Sequence, residues 1–443
     1  METINNKKYT IATFGCQMNE HDSERIAAIL ENMGYTQTDN YDNSDFIIFN
    51  TCLVRENAEL KIYGQIGALK KWKREHPDAL LAICGCMMQT GEARDVILKK
   101  HPQVDIIFGT SNINSLPELM DTHKRTGKTA MDISRTDSID DQFDMIRSHP
   151  SIGYVNIMTG CNNFCSYCIV PYARGREESR SPESIIKEVQ FMAKEGYKEI
   201  TLLGQNVNSY GKDKESTVSF PELLEEINKI EGIERIRFLT SHPKDLSDEL
   251  IEKMATLDKV CENLHLPFQS GSNAVLKAMN RKYTREDYLK LIKKLKDRIP
   301  GISLSTDIIV GFPGETEEDF QDTLDLVKEV EYEQGFTFLY SIRPGTRAAE
   351  MKNQIPDDVK QDRFQRLLDT MYPIFFEKNK EYLDTIQEVM VEGTSKNDPS
   401  ILAGRTRTFK LVHFKGDENL IGKLVNVHIT ENNSFALKGE MVN

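Results

Sequence analysis

The stretch GCNNFCSYCIV sets Cys161, Cys165 and Cys168 in the spacing C-x3-C-x2-C. Thiols this close are a metal-ligating pattern. A structural zinc takes four ligands, and a four-iron cubane is ordinarily held by four cysteines. No fourth Cys or His follows nearby, and the next cysteine is Cys261. Two chemistries fit. One is a cubane with an iron left open to a ligand; the other is a zinc completed by a remote His or Cys. An open coordination position is what separates a reactive metal site from a closed structural one. Tyr167, just before Cys168, suits a cofactor stacking on the loop.

A second set of three is dispersed. Cys16, Cys52 and Cys86 each close an apolar, strand-like run: YTIATFGC, DFIIFNTC and ALLAICGC. Ligands of open α/β sheets sit beyond the carboxyl ends of the strands, so these three thiols are expected to converge on one crevice. Cys84 lies two residues back on its strand and reads as a small buried hydrophobe. Cys261 reads as inert, and His265, inside a strand, as a core histidine.

The elements that must position these groups follow from periodicity. Up to about residue 124, strands alternate with helical patterns such as SERIAAILENMGY, which indicates a parallel sheet covered by helices. Residues 125–146 are polar and read as a linker with one edge strand. Residues 147–377 hold about six βα repeats, beginning with the strand YVNIMTG before Cys161. Eight would close a full barrel; six predict an incomplete (β/α)6 barrel, open to a bulky substrate. A long helix leads out of it. Residues 380–443 change to short alternating strands, the pattern of a small all-β barrel. The expected fold is therefore α/β and multidomain: an open α/β sheet, an incomplete barrel, and a β barrel. Within 401–416 the charged residues are Arg405, Arg407, Lys410 and Lys415, with no acid among them. That bias fits either a phosphate-contact patch or a solvated strand face.

Composition narrows the classes. A chain of 443 residues with 39% hydrophobic and 28% charged residues can bury more than one core. No apolar run is long enough to span a bilayer, and METINNKKYTI lacks a secretory signal, so a cytoplasmic protein with no membrane partner is expected. Eight cysteines in such a chain point to metal or catalysis rather than disulfides. The net charge of −13 argues against a bulk nucleic-acid binder but leaves room for a local basic patch.

C-x3-C-x2-C with an aromatic before the last cysteine, at the mouth of the first strand of a βα barrel, resembles the cluster loop of the radical S-adenosylmethionine (SAM) enzymes. TFGCQMNEHDSE, NTCLVRENAE, GCMMQ and YCIVPYARGREESRS are similar to segments of the methylthiotransferase family. LLGQNVNSYG, TSHP, HLPFQSGS, MNRKYT, DIIVGFPGETEEDF and YSIRPGT continue the likeness in order, from about residue 8 to the C-terminus. GRTRTFKLVHF and KLVNVHIT resemble the TRAM domains that bind tRNA. Three groups compete: one acting on isopentenyl-adenosine in tRNA, one on threonylcarbamoyl-adenosine in tRNA, and one on an aspartate of a ribosomal protein. GCQMNEHDSE and NTCLVRENAE are most like the first. Met88 stands where a small Ala is frequent, and Phe409 where an Asn-type residue is common.

The resemblance implies two 4Fe-4S clusters, one on Cys161, Cys165 and Cys168 and an auxiliary one on Cys16, Cys52 and Cys86. It implies two SAM per turnover. One methylates a sulfur held on the auxiliary cluster; the other yields the 5′-deoxyadenosyl radical that abstracts hydrogen from adenine C2, next to the anticodon. Tyr167, Gly204, Gln205, Ser241, His242, Gln269, Ile309 and Gly311 would serve SAM. Strand-end location is their independent warrant, and each also suits a turn or helix cap. Arg174 and Arg176 would face SAM carboxylate, tRNA phosphate or solvent, and Arg405, Arg407, Lys410 and Lys415 tRNA. The implied partners are the tRNA anticodon stem-loop, an electron donor such as flavodoxin or ferredoxin, and a sulfur donor, with the enzyme a monomer.

Overall fold

The computed structural model describes residues 7–53, 56–135, 145–213, 218–395 and 398–442, the side chains of 56–60 excepted. Val54 and Arg55 of the NTCLVRENAE segment and residues 136–144 of the expected linker lie outside them. The chain packs as two units. One comprises Met1–Ser148, Met158–Asn162 and Ile169–Arg180; the other comprises His149–Ile157, Asn163–Cys168 and Ser181–Asn443.

In the first unit, β1 (Lys8–Thr13), β2 (Thr36–Gln37), β3 (Phe46–Thr51), β4 (Leu80–Gly85), β5 (Ile106–Phe108) and β6 (Ala130–Asp132) form a parallel sheet in the order β2-β1-β3-β4-β5-β6. The helices are α1 (Gln17–Asn32), α2 (Glu56–Glu75), α3 (Gly91–Lys100) and α4 (Leu116–Thr126). Alternation along the strands divides two cores. Phe46, Ile48, Ile106 and Phe108 pack with Ile26 and Leu30 of α1 and Leu116 and Leu119 of α4. Ile47, Phe49, Leu81 and Ile107 pack with Ile62, Ile66 and Trp72 of α2 and Ile97 of α3. With both faces covered, the central strands β3, β4 and β5 are buried along nearly their whole length and read as apolar runs. The strand order reverses direction between β1 and β3, the switch point where doubly wound sheets bind ligands. The expected edge strand of the linker is β6.

Next along the chain, β7 (Ile152–Asn156) belongs to the second unit. The antiparallel pair β8 (Met158–Thr159) and β9 (Glu178–Ser179), with α5 (Val170–Arg174) between them, belongs to the first.

The second unit continues as α6 (Pro182–Lys194), β10 (Glu199–Leu203), α7 (Phe220–Asn228), β11 (Arg235–Phe238), α8 (Asp248–Thr256) and β12 (Asn263–His265). Then come α9 (Asn273–Ala278), α10 (Arg285–Arg298), β13 (Ser303–Val310), α11 (Glu317–Val330), β14 (Gln334–Leu339) and the long α12 (Asp357–Lys380). Two parallel sheets result, β7-β10-β11 and β12-β13-β14, and a parallel bridge from Ile236 to Val260 brings the chain entering β12 beside β11. Six parallel strands with helices between them form the incomplete barrel that six βα repeats predicted. Reciprocal caps fix where helices start: Thr284 with Asp287 for α10 and Thr316 with Asp319 for α11.

The C-terminal strands β15 (Ile386–Thr394), β16 (Ile401–Thr406), β17 (Leu411–Lys415), β18 (Leu424–Asn432) and β19 (Leu437–Val442) close a five-stranded barrel in the order β15-β16-β17-β19-β18. Its core is Val389, Val391, Leu402, Val412, Phe414, Val427, Ile429 and Leu437. Among the described residues, no helix is long and apolar enough to cross a membrane.

Candidate functional site

Cys16, Cys52 and Cys86 follow β1, β3 and β4, three neighbouring strands of the first sheet, at their carboxyl ends. Two glycines let these loops approach. A Cβ on Gly15, at φ +139°, would lie 2.8 Å from Cys52 Cβ; one on Gly85, at φ +94°, would lie 2.3 Å from the Thr51 carbonyl oxygen. Under the loops sits a buried amide pair. Asn19 Nδ2 donates to Asn50 Oδ1 at 3.0 Å and to the Thr51 carbonyl at 3.2 Å. Asn50 Nδ2 donates to the Asn19 carbonyl at 2.8 Å and to Ser23 Oγ at 2.9 Å. The Cys16 thiol donates to Asn19 Oδ1 at 3.5 Å. Neither asparagine was singled out from sequence, although Asn19 stands in GCQMNEHDSE and Asn50 is the first residue of NTC.

Arg174 reaches the same place. Its Nε donates to Cys86 Sγ at 3.2 Å and its Nη2 to Asp22 Oδ2 at 2.9 Å. Burial opposes its charge, yet Cys86 and Asp22 hold the guanidinium above its usual range. Burial pushes the Cys86 thiol up to about 11, with Arg174 pulling against it. Leu53, Cys86, Ile169 and Ala173 form a small apolar cluster beside it. Arg176 is exposed. Cys84 lies in the sheet core, where burial raises its thiol well above the ordinary range.

In the C-x3-C-x2-C loop, Cys161 falls in the first unit, and Cys165 and Cys168 in the second. In the second unit the MNRKYT segment holds the loop. Ser166 N donates to the Met279 carbonyl at 2.9 Å and Asn280 Nδ2 to the Phe164 carbonyl at 3.0 Å. Arg281 donates from Nη1 to Cys165 Sγ at 3.5 Å, from Nε to Tyr283 Oη at 3.0 Å and from Nη2 to the Pro267 carbonyl at 2.8 Å. Tyr167 and Ile309 both pack on the cluster of Val275, Met279, Phe312, Tyr340 and Ala348.

The remaining expected SAM residues lie at strand ends. Gly204 and Gln205 follow β10, and Ser241 and His242 follow β11; the two loops are tied by Val207 N to the Thr240 carbonyl at 3.1 Å. Gln205 Oε1, Ser241 Oγ and both amide atoms of Asn208 are buried with no hydrogen-bond partner. Such groups are costly unless a ligand meets them, so this end of the barrel fits a polar cofactor. His242 accepts from Lys244 N at 3.2 Å and abuts Tyr283 edge-on. Burial, Arg281 and Lys244 bring its imidazole down to about 2, so it is neutral. Asp245, in the same loop, accepts from Asn206 and Lys212 at 2.8 Å each. Gln269, at φ +67°, is stitched to β13: its N donates to Asp307 and its carbonyl accepts from Ile309 N, at 3.0 Å each. Gly311 N donates to Glu315 Oε1 at 3.1 Å. Cys261 is buried against β11 and raised by that burial, and His265 bonds Ser305 Oγ at 3.0 Å inside the sheet.

The basic residues of the C-terminal barrel are largely engaged inside the second unit. Arg407 donates to both carboxylate oxygens of Glu262 and to the carbonyls of Asp258 and Val260. Lys410 is buried and paired with Glu333. Arg405 pairs with Glu392 at 3.1 Å and lies 4.3 Å over the Phe409 ring. From below, Arg235 donates to the Arg405 carbonyl, and Arg237 donates to those of Thr406 and Arg407, at 2.7–2.9 Å. Lys415 is exposed at the end of β17. Phe409 has φ +68°, a region that Asn tolerates well. Stacking against Arg405 and Arg237 accounts for an aromatic ring there.

An incomplete parallel (β/α)6 barrel with this cysteine loop after its first strand is the architecture of the radical SAM superfamily, whose family model matches residues 155–327. The uncharacterized protein family UPF0004 matches residues 8–109 and the TRAM domain residues 380–442. The chain is 66% identical to a tRNA-2-methylthio-N(6)-dimethylallyladenosine synthase of Finegoldia magna, over 98% of this chain and 94% of that protein. It is 58% identical to one of Alkaliphilus oremlandii, over 99% and 93%. The chain belongs to the family of tRNA-2-methylthio-N(6)-dimethylallyladenosine synthases, which are radical SAM enzymes. Its fold is similar to that of the radical SAM methyltransferase TsrM from Kitasatospora setae, with TM-score 0.58, 14% identity, and coverage of 78% of this chain and 77% of that one. Membership in the radical SAM superfamily implies a 4Fe-4S cluster and SAM.

Proposed function

We propose that this chain adds a methylthio group to C2 of N6-dimethylallyladenosine beside the anticodon of tRNA. It would hold one 4Fe-4S cluster through Cys161, Cys165 and Cys168, and a second through Cys16, Cys52 and Cys86. The observation that carries the reading is the placement of Cys16, Cys52 and Cys86 beyond three adjacent strands at the switch point of the first sheet. Three all-sulfur donors suit iron–sulfur chemistry and leave one iron open. Bound there, the clusters and SAM would supply one-electron cleavage of SAM and a transferable sulfur.

The chain's own residues supply position. Asn19 and Asn50 fix the loops of Cys16 and Cys52, and Met279 and Asn280 fix the loop of Cys165 and Cys168. Gln205, Asn208 and Ser241 offer polar atoms to SAM, and neutral His242 supports their loop. Lys415 on the C-terminal barrel would meet tRNA phosphate. On this reading the domains are 1–124, 147–377 and 380–443, with 125–146 between them. A flavodoxin- or ferredoxin-class donor supplies electrons, a sulfur donor restores the auxiliary site, and the enzyme works as a monomer in the cytoplasm.

Anaerobic reconstitution with iron and sulfide tests this. About eight irons per chain, as two cubanes, and 5′-deoxyadenosine from SAM are expected. Cys161→Ala should abolish SAM cleavage. Cys52→Ala should keep SAM cleavage and lose thiomethyl transfer; transfer that persists in this variant would refute the auxiliary site. Transfer RNA from a deletion strain should lack the methylthio mark and accumulate the unthiolated nucleoside.

A further inference from the structure

In each cysteine set a buried arginine side chain is aimed at one of the sulfurs. Arg174 serves Cys86 and Arg281 serves Cys165. The two arginines are nevertheless held differently. Arg174 shares its charge with Asp22, and both side chains are almost fully buried, at 7% and 8% exposure. Arg281 is buried, and its other partners are the Tyr283 hydroxyl and the Pro267 carbonyl, both neutral oxygens. Among the described residues no carboxylate pairs with it. A buried guanidinium needs a counter-charge, and the cluster-ligand sulfur within its reach is Cys165 Sγ, 3.5 Å away.

We infer that Arg174 and Arg281 are positioning residues that set the reduction potentials of the two clusters, one for each. This rests on the two-cluster reading above. The physical basis is general. An iron–sulfur potential follows the net charge around the cluster and the hydrogen bonds to its sulfurs. An N–H donated to a ligating sulfur, with a positive charge behind it, stabilises the reduced and more negative state. Removing either arginine therefore lowers the potential of its own cluster. Asp22 offsets part of the Arg174 charge, so removing Arg281 lowers its cluster further than removing Arg174 lowers the auxiliary one. Neutralising Asp22 raises the auxiliary potential.

The test is an EPR-monitored potentiometric titration of the reconstituted full-length enzyme and its variants. Addition of SAM marks which signal belongs to the cluster on the C-x3-C-x2-C loop. Arg174→Met should shift only the signal insensitive to SAM, to lower potential. Asp22→Asn should shift that same signal to higher potential. Arg281→Met should lower only the SAM-sensitive signal, by more. Arg174→Lys and Arg281→Lys, which keep the charge but not the planar fork, should fall between wild type and the Met variants. Should a Met variant fail to hold its cluster, the Lys and Asn variants decide. Wild-type midpoints in every cluster-bearing variant, or shifts in the wrong cluster, would overturn the inference. A wild-type enzyme with a single cluster would instead refute the two-cluster reading, a separate and recognisable outcome.

Discussion

Arg407 closes a two-pronged contact on Glu262, with Nε on one carboxylate oxygen and Nη2 on the other, each at 2.8 Å. Both residues belong to the second unit, one in the C-terminal barrel and the other just before β12. The planar fork matches a carboxylate in a way a lysine cannot. Burial would raise the Glu262 carboxyl, but the Arg407 hydrogen bonds and charge outweigh it and hold it below the usual range.

Arg407→Ala should therefore loosen the C-terminal barrel. Both partners are partly exposed, so solvent screening limits the loss to about 1 kcal/mol. Hydrogen exchange should quicken along β16 and β17. The dependence of tRNA affinity on salt separates this from a phosphate contact. Loss of one phosphate contact would reduce the salt slope by about one; an unchanged slope is expected for Arg407→Ala. Lys415→Ala should reduce it.

Charge in sequence does not say whom it faces. Arg405, Arg407, Lys410 and Lys415 form one acid-free run, yet Glu262 and Glu333, remote in sequence, answer two of them. Arg174 was equally opaque, because a basic residue after a cluster loop carries no sign of reaching Asp22 and Cys86. By contrast, the apolar runs ending at Cys16, Cys52 and Cys86 exposed both the sheet and the convergence of its loops, most plainly at β3 and β4, because a strand buried on both faces has an unmistakable pattern. The count of βα repeats and the short alternating C-terminal strands were legible for the same reason.

Asn50 makes the strongest case among the residues missed. It is fully buried and makes two side-chain donations and one acceptance. Asn50→Ala should leave buried partners of Asn19 unsatisfied and cost about 2–3 kcal/mol. The loops of Cys16 and Cys52 would lose their common support. About half the reconstituted iron should go, while 5′-deoxyadenosine formation from SAM remains. Retention of full iron content would show that the amide pair is dispensable to the site.

Gly85 is a backbone test of the same region. At φ +94° and ψ −170° it occupies a conformation nearly restricted to glycine. Gly85→Ala should cost about 1–3 kcal/mol for the backbone alone, and the new methyl would meet the Thr51 carbonyl at 2.3 Å. Thermal unfolding of the apoprotein should show a lower first transition. Gly127→Ala, where a Cβ meets nothing within 4 Å, should lose less than Gly85→Ala.

His242 gives a pH test. Its folded-state value of about 2 lies far below the ordinary 6.5, so above pH 6.5 the imidazole is neutral both folded and unfolded and contributes no pH dependence. Below 6.5 the unfolded chain takes up a proton that the folded chain refuses. Stability is therefore full above that value and declines as pH falls towards the folded one. From pH 6.5 to 5.5 the decline from this group is about 1 kcal/mol. His242→Asn keeps an acceptor for Lys244 N and cannot titrate. Urea midpoints of the apoprotein, followed so that cluster loss plays no part, should fall less steeply over this interval in the variant than in wild type. Equal slopes would mean that His242 becomes protonated within the folded loop.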